Sequence, residues 1–356
     1  MAKRLLKGAA LLLAALVLIA GVYAGYVLVS YHRLPDTDVL AGADGADGTL
    51  PEIAAGTPHR IVSWNLGFGA YSADYSFFMD GGTESRAYSE AAVLANIGHA
   101  VDVINAQDAD FKLLQEVDID ATRSYHVDEA GLIQNAVPGC VNFAQNYDSP
   151  YLFYPLARPH GASKSGLLTV SDCRMSRLRR VSLPVERGLR KLLDLDRCYS
   201  VSYIPAANGR QLCLYNFHLS AYTSDGSLAT EQLRRMCADM LAEYEAGNYV
   251  VGGGDFNKDL PGNSGEIFGV SGADLAWTKP LETGVIPEGL RLVDALDREN
   301  PVPSCRNADS AYQPGKSVVL IVDGFIVSDN VCVNACRVID EGFACSDHNP
   351  VVWNLN

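Results

Sequence analysis

The sequence predicts one α/β domain, two packed sheets with helices outside them, behind a single amino-terminal membrane-spanning helix. Three observations predict this. From Arg60 onward, short β-rich runs alternate with helical stretches. No long linker separates them. An uncharged apolar stretch from Gly8 to Tyr31 precedes them all.

That apolar stretch is long enough to cross a hydrocarbon core of about 30 Å as a helix. Lys3, Arg4 and Lys7 precede it, and behind it stand His32 and Arg33. This favours an amino terminus on the cytoplasmic side, with the bulk of the chain outside. A cleaved signal peptide, cut near Val22-Tyr23-Ala24, is the rival reading. The apolar run continues past that point, which favours a retained anchor. Residues 34–58 are rich in Ala, Gly, Asp and Pro without apolar period, so a flexible spacer is expected. The predicted division is 1–7 a cytoplasmic basic segment, 8–31 the anchor, 32–58 the spacer and 59–356 the globular domain.

Within that domain the elements follow from periodicity. Strands are expected at Arg60–Asn65, Phe111–Val117, Gly166–Val170, Gln211–His218, Tyr249–Gly254, Val318–Val327 and Pro350–Leu355. Apolar residues at helical spacing (Ala92, Leu94, Ala95, Ile97, Val101, Val103, Ile104) predict a helix over Ser89–Gln107. A second amphipathic helix is expected over Asp225–Glu245, ended by Gly247 as a C′ glycine.

Bulk properties restrict the function. Net charge is −14, from 28 basic and 42 acidic residues. Tight non-specific nucleic-acid binding relies on Lys and Arg displacing phosphate counterions, so this balance works against it. A bound cation and a local basic patch keep a nuclease open. The nine cysteines show no zinc-ligand pattern, and most read as structural thiols with a bridge or two. The Arg177, Arg179, Arg180 run reads as a solvated face.

Polar, metal-competent residues stand at the ends of the expected strands. Taken singly each has an ordinary explanation. Asn65 suits a turn, Glu116 a strand-terminal carboxylate, and His218 a satisfied histidine at a sheet edge. Asp255 and Asn257 suit an Asx turn after three glycines. Asp323 lies amid Leu320, Ile321, Val322, Phe325 and Ile326, where an unpaired carboxylate is costly. Asp347 and His348 stand side by side near the end.

In combination and order they resemble the endonuclease/exonuclease/phosphatase superfamily. The matching pieces are Ser63-Trp64-Asn65-Leu66, Leu114-Gln115-Glu116-Val117 and Asn216-Phe217-His218-Leu219, followed by Gly254-Asp255-Phe256-Asn257, Val322-Asp323-Gly324-Phe325-Ile326-Val327 and Ser346-Asp347-His348-Asn349-Pro350. They extend from about residue 60 to 354, nearly all of the part beyond the anchor. Gly324 departs from the pattern, since many members carry an aromatic residue there.

The resemblance implies a four-layer α/β sandwich with its site at the mouth between two sheets. It implies that Glu116 binds a divalent cation, with Asn65 and Asp347 close to it. An oxygen-rich site of this kind suits Mg²⁺ or Mn²⁺. It further implies that His348, oriented by Asp323, acts as the base for water. Asp255 would position the nucleophile or leaving group, and Asn257 would donate to a phosphoryl oxygen. His218 would stabilise developing charge or protonate the leaving oxygen.

Two loops are candidates for substrate contact. Tyr71 to Tyr88, with Phe77-Phe78-Met79-Asp80, reads as an ordinary packed loop, with a lid as the alternative. In Arg158 to Gly166, the candidates for phosphate contact are Arg158, His160 and Lys164, against the alternative of solvated loop charges. The expected function is metal-dependent hydrolysis of a phosphodiester or phosphomonoester outside the cytoplasm, a lipid headgroup or small ester slightly favoured. A deoxyribonuclease-like enzyme acting on nucleic acid and a non-catalytic binding module are the alternatives. No obligate protein partner is evident.

Overall fold

The computed structural model describes residues 2–40, 50–186, 188, 191, 195–221, 226–271, 275 and 277–355. The chain begins with α1 (Ala2–Ser30), β1 (Thr37–Leu40), β2 (His59–Asn65), α2 (Glu90–Ala106), β3 (Phe111–Ala121) and α3 (Glu129–Ala136). There follow β4 (Cys140–Asp148), β5 (Ser163–Ser171), β6 (Arg177–Ser182), β7 (Cys198–Pro205), β8 (Gln211–His218) and α4 (Ser227–Glu245). The last part holds β9 (Tyr249–Asp255), α5 (Ser264–Phe268), β10 (Leu290–Asp294), β11 (Cys305–Arg306), β12 (Val319–Leu320), β13 (Asp323–Ser328), β14 (Val333–Val338) and β15 (Val351–Leu355).

One sheet runs β1-β6-β7-β8-β9-β13-β10 and the other β14-β15-β2-β3-β5-β4. Both are mixed: β2 pairs parallel to β3 and β8 parallel to β9, and the other strand pairs within the two sheets are antiparallel. Each parallel pair needs a crossover, which α2 and α4 supply. Ile61, Phe111, Leu113 and Trp353 of one sheet meet Leu214, Val251, Phe325 and Val327 of the other in the central core. Val62, Trp64 and Leu114 instead face α2, through Val93, Ile97 and Ile104. Tyr215, Phe217 and Val250 face α4, through Leu233, Met236 and Met240. The result is the expected four-layer α/β sandwich. Burial on both faces explains why its central strands read as continuous apolar runs.

Close approach between the sheets depends on small residues. A Cβ on Gly253 would lie 2.5 Å from the Phe325 ring and 2.8 Å from Leu113. The strand therefore carries glycine where the Phe325 ring of its neighbour β13 and Leu113 of the opposite sheet both pack onto it.

Several expectations are corrected. The strand expected over Val318–Val327 is broken into β12, which pairs with β11, and β13, which pairs with β9 and β10; buried Ile321 and Val322 lie between them. Part of the 32–58 spacer is structured: β1 pairs with β6, Arg33 forms an ion pair with Asp196, and Ile53 is buried and bridges to Ala206. Residues 41–49 of that spacer, and Asp225 of the expected helix, lie outside the described residues. The Arg177–Arg180 run is strand β6 and not a solvated face. Arg177 pairs with Asp38, Arg179 with Asp239, and buried Arg180 with the Gln145 and Asp196 carbonyls. All nine cysteines are free thiols, so the expected bridges are absent.

The helix α1 is long and apolar enough to cross a membrane.

Candidate active site

The topology brings the strand-end residues together. Parallel pairing sets Asn65 beside Gln115 and His218 beside Asp255, so the carboxyl ends of four central strands open on one side. Antiparallel pairing then returns two later strands to the same edge. Asp323, the first residue of β13, is the partner of Asp255, and Val351 at the start of β15 is the partner of Ser63. Asp347 and His348 therefore sit just beyond Asn65.

A β-bulge aims Glu116 into this edge. Pairing of β3 with β5 slips between Leu114 and Val117, and Glu116 takes a left-handed φ of 54°. Such a conformation is unusual for a non-glycine residue and re-aims a side chain out of the regular alternation. The neighbouring Gln115 points into the core, where Nε2 donates to Asn216 Oδ1 at 2.8 Å. Asn216 in turn donates to the Leu114 and Leu168 carbonyls. This buried network ties the two sheets together directly beneath the cleft.

The segment from Ser346 to Asn349 is held by its own hydrogen bonds. Ser346 Oγ donates to the Asn65 carbonyl at 2.6 Å and accepts from the His348 N–H at 3.1 Å. Trp64 Nε1 donates to the His348 carbonyl at 2.8 Å. Ser304 Oγ accepts from the Asp323 N–H at 3.2 Å, and Asn349 N–H donates to the Ser304 carbonyl at 2.8 Å. Both halves of the Asp323–His348 couple are thereby fixed before their side chains meet.

They meet at 2.8 Å, between His348 Nδ1 and Asp323 Oδ2. His348 Nε2 lies 3.7 Å from Asp255 Oδ2, and His218 Nε2 lies 3.5 Å from the same oxygen. Asn65 Nδ2 donates to Asp255 Oδ2 at 3.1 Å and to Glu116 Oε1 at 3.2 Å. His218 Nδ1 stands 3.9 Å from Glu116 Oε1 and has no hydrogen-bond partner among the described residues. Asn257 takes a left-handed φ of 50°, donates its N–H to Asp255 Oδ1 at 2.8 Å and its amide to the Leu219 carbonyl at 2.9 Å. That is the Asx turn that the glycine-rich sequence suggested.

Burial shapes the electrostatics. It pushes the Asp255 carboxyl up to about 7, against the opposing pull of His348. It pushes Asp347 up to about 6, with the Glu116 charge adding to the rise. Burial works against charge on His348 too, but the Asp323 and Asp255 carboxylates outweigh it and raise the imidazole well above its ordinary value. His218, buried with Arg197 nearby, goes the other way and is held neutral.

Two acidic groupings could be read as metal sites. Asp255, Asp323 and His348 have ligand atoms within 4.8 Å of one another. Asp323 Oδ2 and His348 Nδ1 already hold each other at 2.8 Å, so that trio reads first as an ion-paired couple facing Asp255. Glu116 and Asp347 are different: both carboxylates line the cavity, and the Glu116 charge adds to the effect of burial on Asp347. An oxygen-rich pair of this kind fits a hard divalent cation. Asn65 accepts the Gly67 N–H at 3.0 Å on its own oxygen. Its place beside Glu116 is as a donor that orients the carboxylate.

Asn65, Glu116, His218, Asp255, Asn257, Asp347 and His348 line one cavity of about 570 Å³, and Asp323 reaches it through His348. No protein-family model matches the sequence, and no curated protein matches it. Solved structures do. An endonuclease/exonuclease/phosphatase protein from Beutenbergia cavernae superposes with a TM-score of 0.57 at 20% identity, over 84% of this chain and 71% of that one. The fold is the endonuclease/exonuclease/phosphatase fold. A second such protein, from Bacteroides vulgatus, gives a TM-score of 0.53 at 16% identity, over 84% of this chain and 99% of that one. ANGEL2, a 2′,3′-cyclic phosphatase solved with adenosine-2′,3′-vanadate, gives 0.54 at 15% identity, over 91% and 99%.

Within the endonuclease/exonuclease/phosphatase fold of this chain, the loop candidates fare differently. Lys164 is exposed and lies opposite in strand alternation to Ser165, which does line the cavity. Arg158 is also outside it, bound to Glu84, the Ala87 carbonyl and Tyr125. Neither is placed to meet a phosphate there. His160 is a wall residue: its ring packs on Phe68, Phe77 and Phe78, its Nδ1 reaches the Ser85 carbonyl at 2.7 Å, and burial depresses it to about 4. It is an uncharged surface, not a phosphate cation.

The 71–88 loop does reach the site, with Tyr71, Phe77, Met79 and Asp80 on the cavity wall. Arg306 holds it there by donating to the Ser72 and Tyr75 carbonyls. Gly324 is explained by packing. A Cβ there would meet Leu260 at 2.7 Å and the Val293 carbonyl at 2.9 Å.

Sequence reasoning missed Arg197. It is buried on the cavity wall, its Nη1 donates to the His218 carbonyl at 3.3 Å, and its Nε has no partner among the described residues. No apolar period or motif marks the segment before β7, so only the structure could place it. Arg123 was missed as well; it is neutralised by a bidentate pair with buried Asp118 at 2.8 and 3.0 Å.

Proposed function

We propose that this protein is a divalent-metal-dependent phosphoesterase that uses activated water on phosphorus. The observation that carries the reading is the convergence of Glu116, His218, Asp255, Asp347 and His348 on one cavity, with Asp323 bonded to His348 behind it. The shared fold with phosphatase structures supports it. Glu116 and Asp347 would hold the cation, Mg²⁺ or Mn²⁺, with Asn65 orienting Glu116. When bound, the cation supplies a Lewis acid that withdraws charge from a phosphoryl oxygen.

The chain's own residues supply the rest. Asp323 fixes the tautomer and direction of His348, so Nε2 is the atom offered to the cavity. Asp255 faces that atom and is the second group able to hold or pass a proton. The neutral His218, its Nδ1 without a partner among the described residues, would serve the developing charge or the leaving oxygen. Arg197, on the cavity wall, would add positive charge toward an anion. Asn257 keeps Asp255 in place through its N–H and retains one amide hydrogen for a phosphoryl oxygen. Phosphoryl transfer depends mainly on such positioning and charge neutralisation.

In the cell, α1 would act as an anchor with the enzyme domain outside the cytoplasm, as the basic residues before it favour. A panel of phosphomonoesters and phosphodiesters, incubated with Mg²⁺, Mn²⁺ or chelator, tests the reading. Cation-dependent hydrolysis of at least one is expected. A folded protein inert across the panel is a binding module and not an enzyme. Plasmid nicking that disappears in His218→Ala would identify a nuclease.

A further inference from the structure

The loop between β4 and β5 exposes apolar side chains that folding leaves uncovered. Phe153 is 49% exposed, Tyr154 70% and Leu156 84%, and nearby Met79, on the rim of the cavity, is 67% exposed. Contiguous apolar exposure of this kind marks an interaction surface. The same loop forms the back of the cavity wall. Tyr154 packs against Phe78 at 5.7 Å, its carbonyl accepts the His160 N–H at 3.2 Å, and Leu152 bridges to Gly161.

What covers this surface is indicated by α1. Tyr23 Oη donates to the Tyr151 carbonyl at 3.1 Å, and the Tyr151 N–H donates to Tyr26 Oη at 3.0 Å. The Tyr23 ring meets Phe153 edge-on at 5.2 Å. A helix rising 1.5 Å per residue climbs about 27 Å between Leu5 and Tyr23, close to one hydrocarbon thickness. Tyr23 and Tyr26 then fall at the outer interface, where tyrosines concentrate. The loop bonded to them lies at the same level.

We propose that the 151–156 loop is a bilayer-contacting surface that holds the mouth of the cavity against the membrane, so that the phosphoester taken is a phospholipid headgroup. The occupant is the lipid surface around α1. This rests on the phosphoesterase reading and on α1 as a span. In the reaction, the oxygen of water bonds to phosphorus and the bond from phosphorus to the lipid alcohol oxygen breaks. That oxygen leaves with a proton, the lipid alcohol stays in the bilayer, and the phosphorylated headgroup departs into water.

The test uses the full chain in vesicles of phosphatidylcholine, phosphatidylglycerol and sphingomyelin. Leu156→Trp is expected to show fluorescence quenching by brominated lipid, as is Leu13→Trp inside α1. Quenching at position 13 without quenching at 156 overturns the contact. No quenching at either overturns the span, and the contact falls with it. In the double variant Phe153→Ser/Leu156→Ser, release of headgroup from the vesicles should drop about tenfold, while turnover of soluble bis-p-nitrophenyl phosphate is unchanged. Unchanged headgroup release, or none by the native chain while the soluble ester is cleaved, overturns the headgroup proposal. Hydrolysis of neither ester would instead sink the phosphoesterase reading, and quenching at 156 would still decide the contact.

Discussion

His348 Nδ1 and Asp323 Oδ2 stand 2.8 Å apart, both side chains almost wholly buried. The pair comes from segments on different strands, and each backbone is locked by serine hydroxyls, Ser346 and Ser304. An imidazole fixed in this way spends little reorganisation in reacting. Asp323→Asn keeps the shape but removes the charge that orients the ring. The expected result is a fall in kcat of roughly 10²- to 10⁴-fold with KM little changed. Steady-state kinetics on whichever ester the panel identifies checks it.

Arg197 should affect binding more than chemistry. It sits on the cavity wall, bonded to the His218 carbonyl, with an Nε that has no partner among the described residues. Arg197→Lys loses the planar fork and is expected to raise KM for a phosphoester by about tenfold. A matching fall in kcat with KM unaltered would place the residue in the chemical step instead.

Asn216 is a stability residue although it lies two positions from His218. Its amide joins Gln115 to the Leu114 and Leu168 carbonyls across the sheet interface. Asn216→Leu removes the side-chain partner of the two carbonyls and one of the Gln115 hydrogen bonds, leaving its bond to the Leu113 carbonyl, at a cost of about 2–4 kcal/mol. Urea denaturation of wild type and variant measures the difference.

His160 predicts a pH dependence of stability. Its ordinary value of 6.5 is depressed to about 4 by burial. The unfolded chain therefore binds the proton first, and the folded state loses stability as pH falls from about 6.5 through 4. The contribution is at most about 3 kcal/mol, fully present above pH 6.5. In His160→Gln this part of the decline should flatten, read as the difference between the two denaturation profiles.

The sequence made some of this architecture legible and hid the rest, for physical reasons. Strands such as β8, Gln211–His218, carry dense apolar runs because both faces are buried, and they were read with their bounds. Helix α2 was legible from its period and from the Ser89 cap, which accepts the Ala92 N–H. Strands β4, β6 and β7 were not, because polar residues interrupt their apolar pattern, among them Asn142, Arg177, Arg179, Arg180 and Ser202, which find tertiary partners. The site residues were recognised from short motifs, and parallel register then explains their meeting. Lys164 and Arg158 were misjudged because strand alternation and a local ion pair decide side-chain direction, and neither is written in a motif. Arg197 carried no local signal at all.

The central claim is that Glu116 and Asp347 form the cation seat beside the Asp323–His348–Asp255 cluster. Crystals equilibrated with Mn²⁺ and measured for anomalous scattering test it most directly. The account predicts a peak within coordination distance of the Glu116 and Asp347 carboxylates, about 2.0–2.3 Å for a hard divalent ion. A peak held instead by Asp255, Asp323 and His348, or a folded crystal with no peak in the cavity, would contradict it.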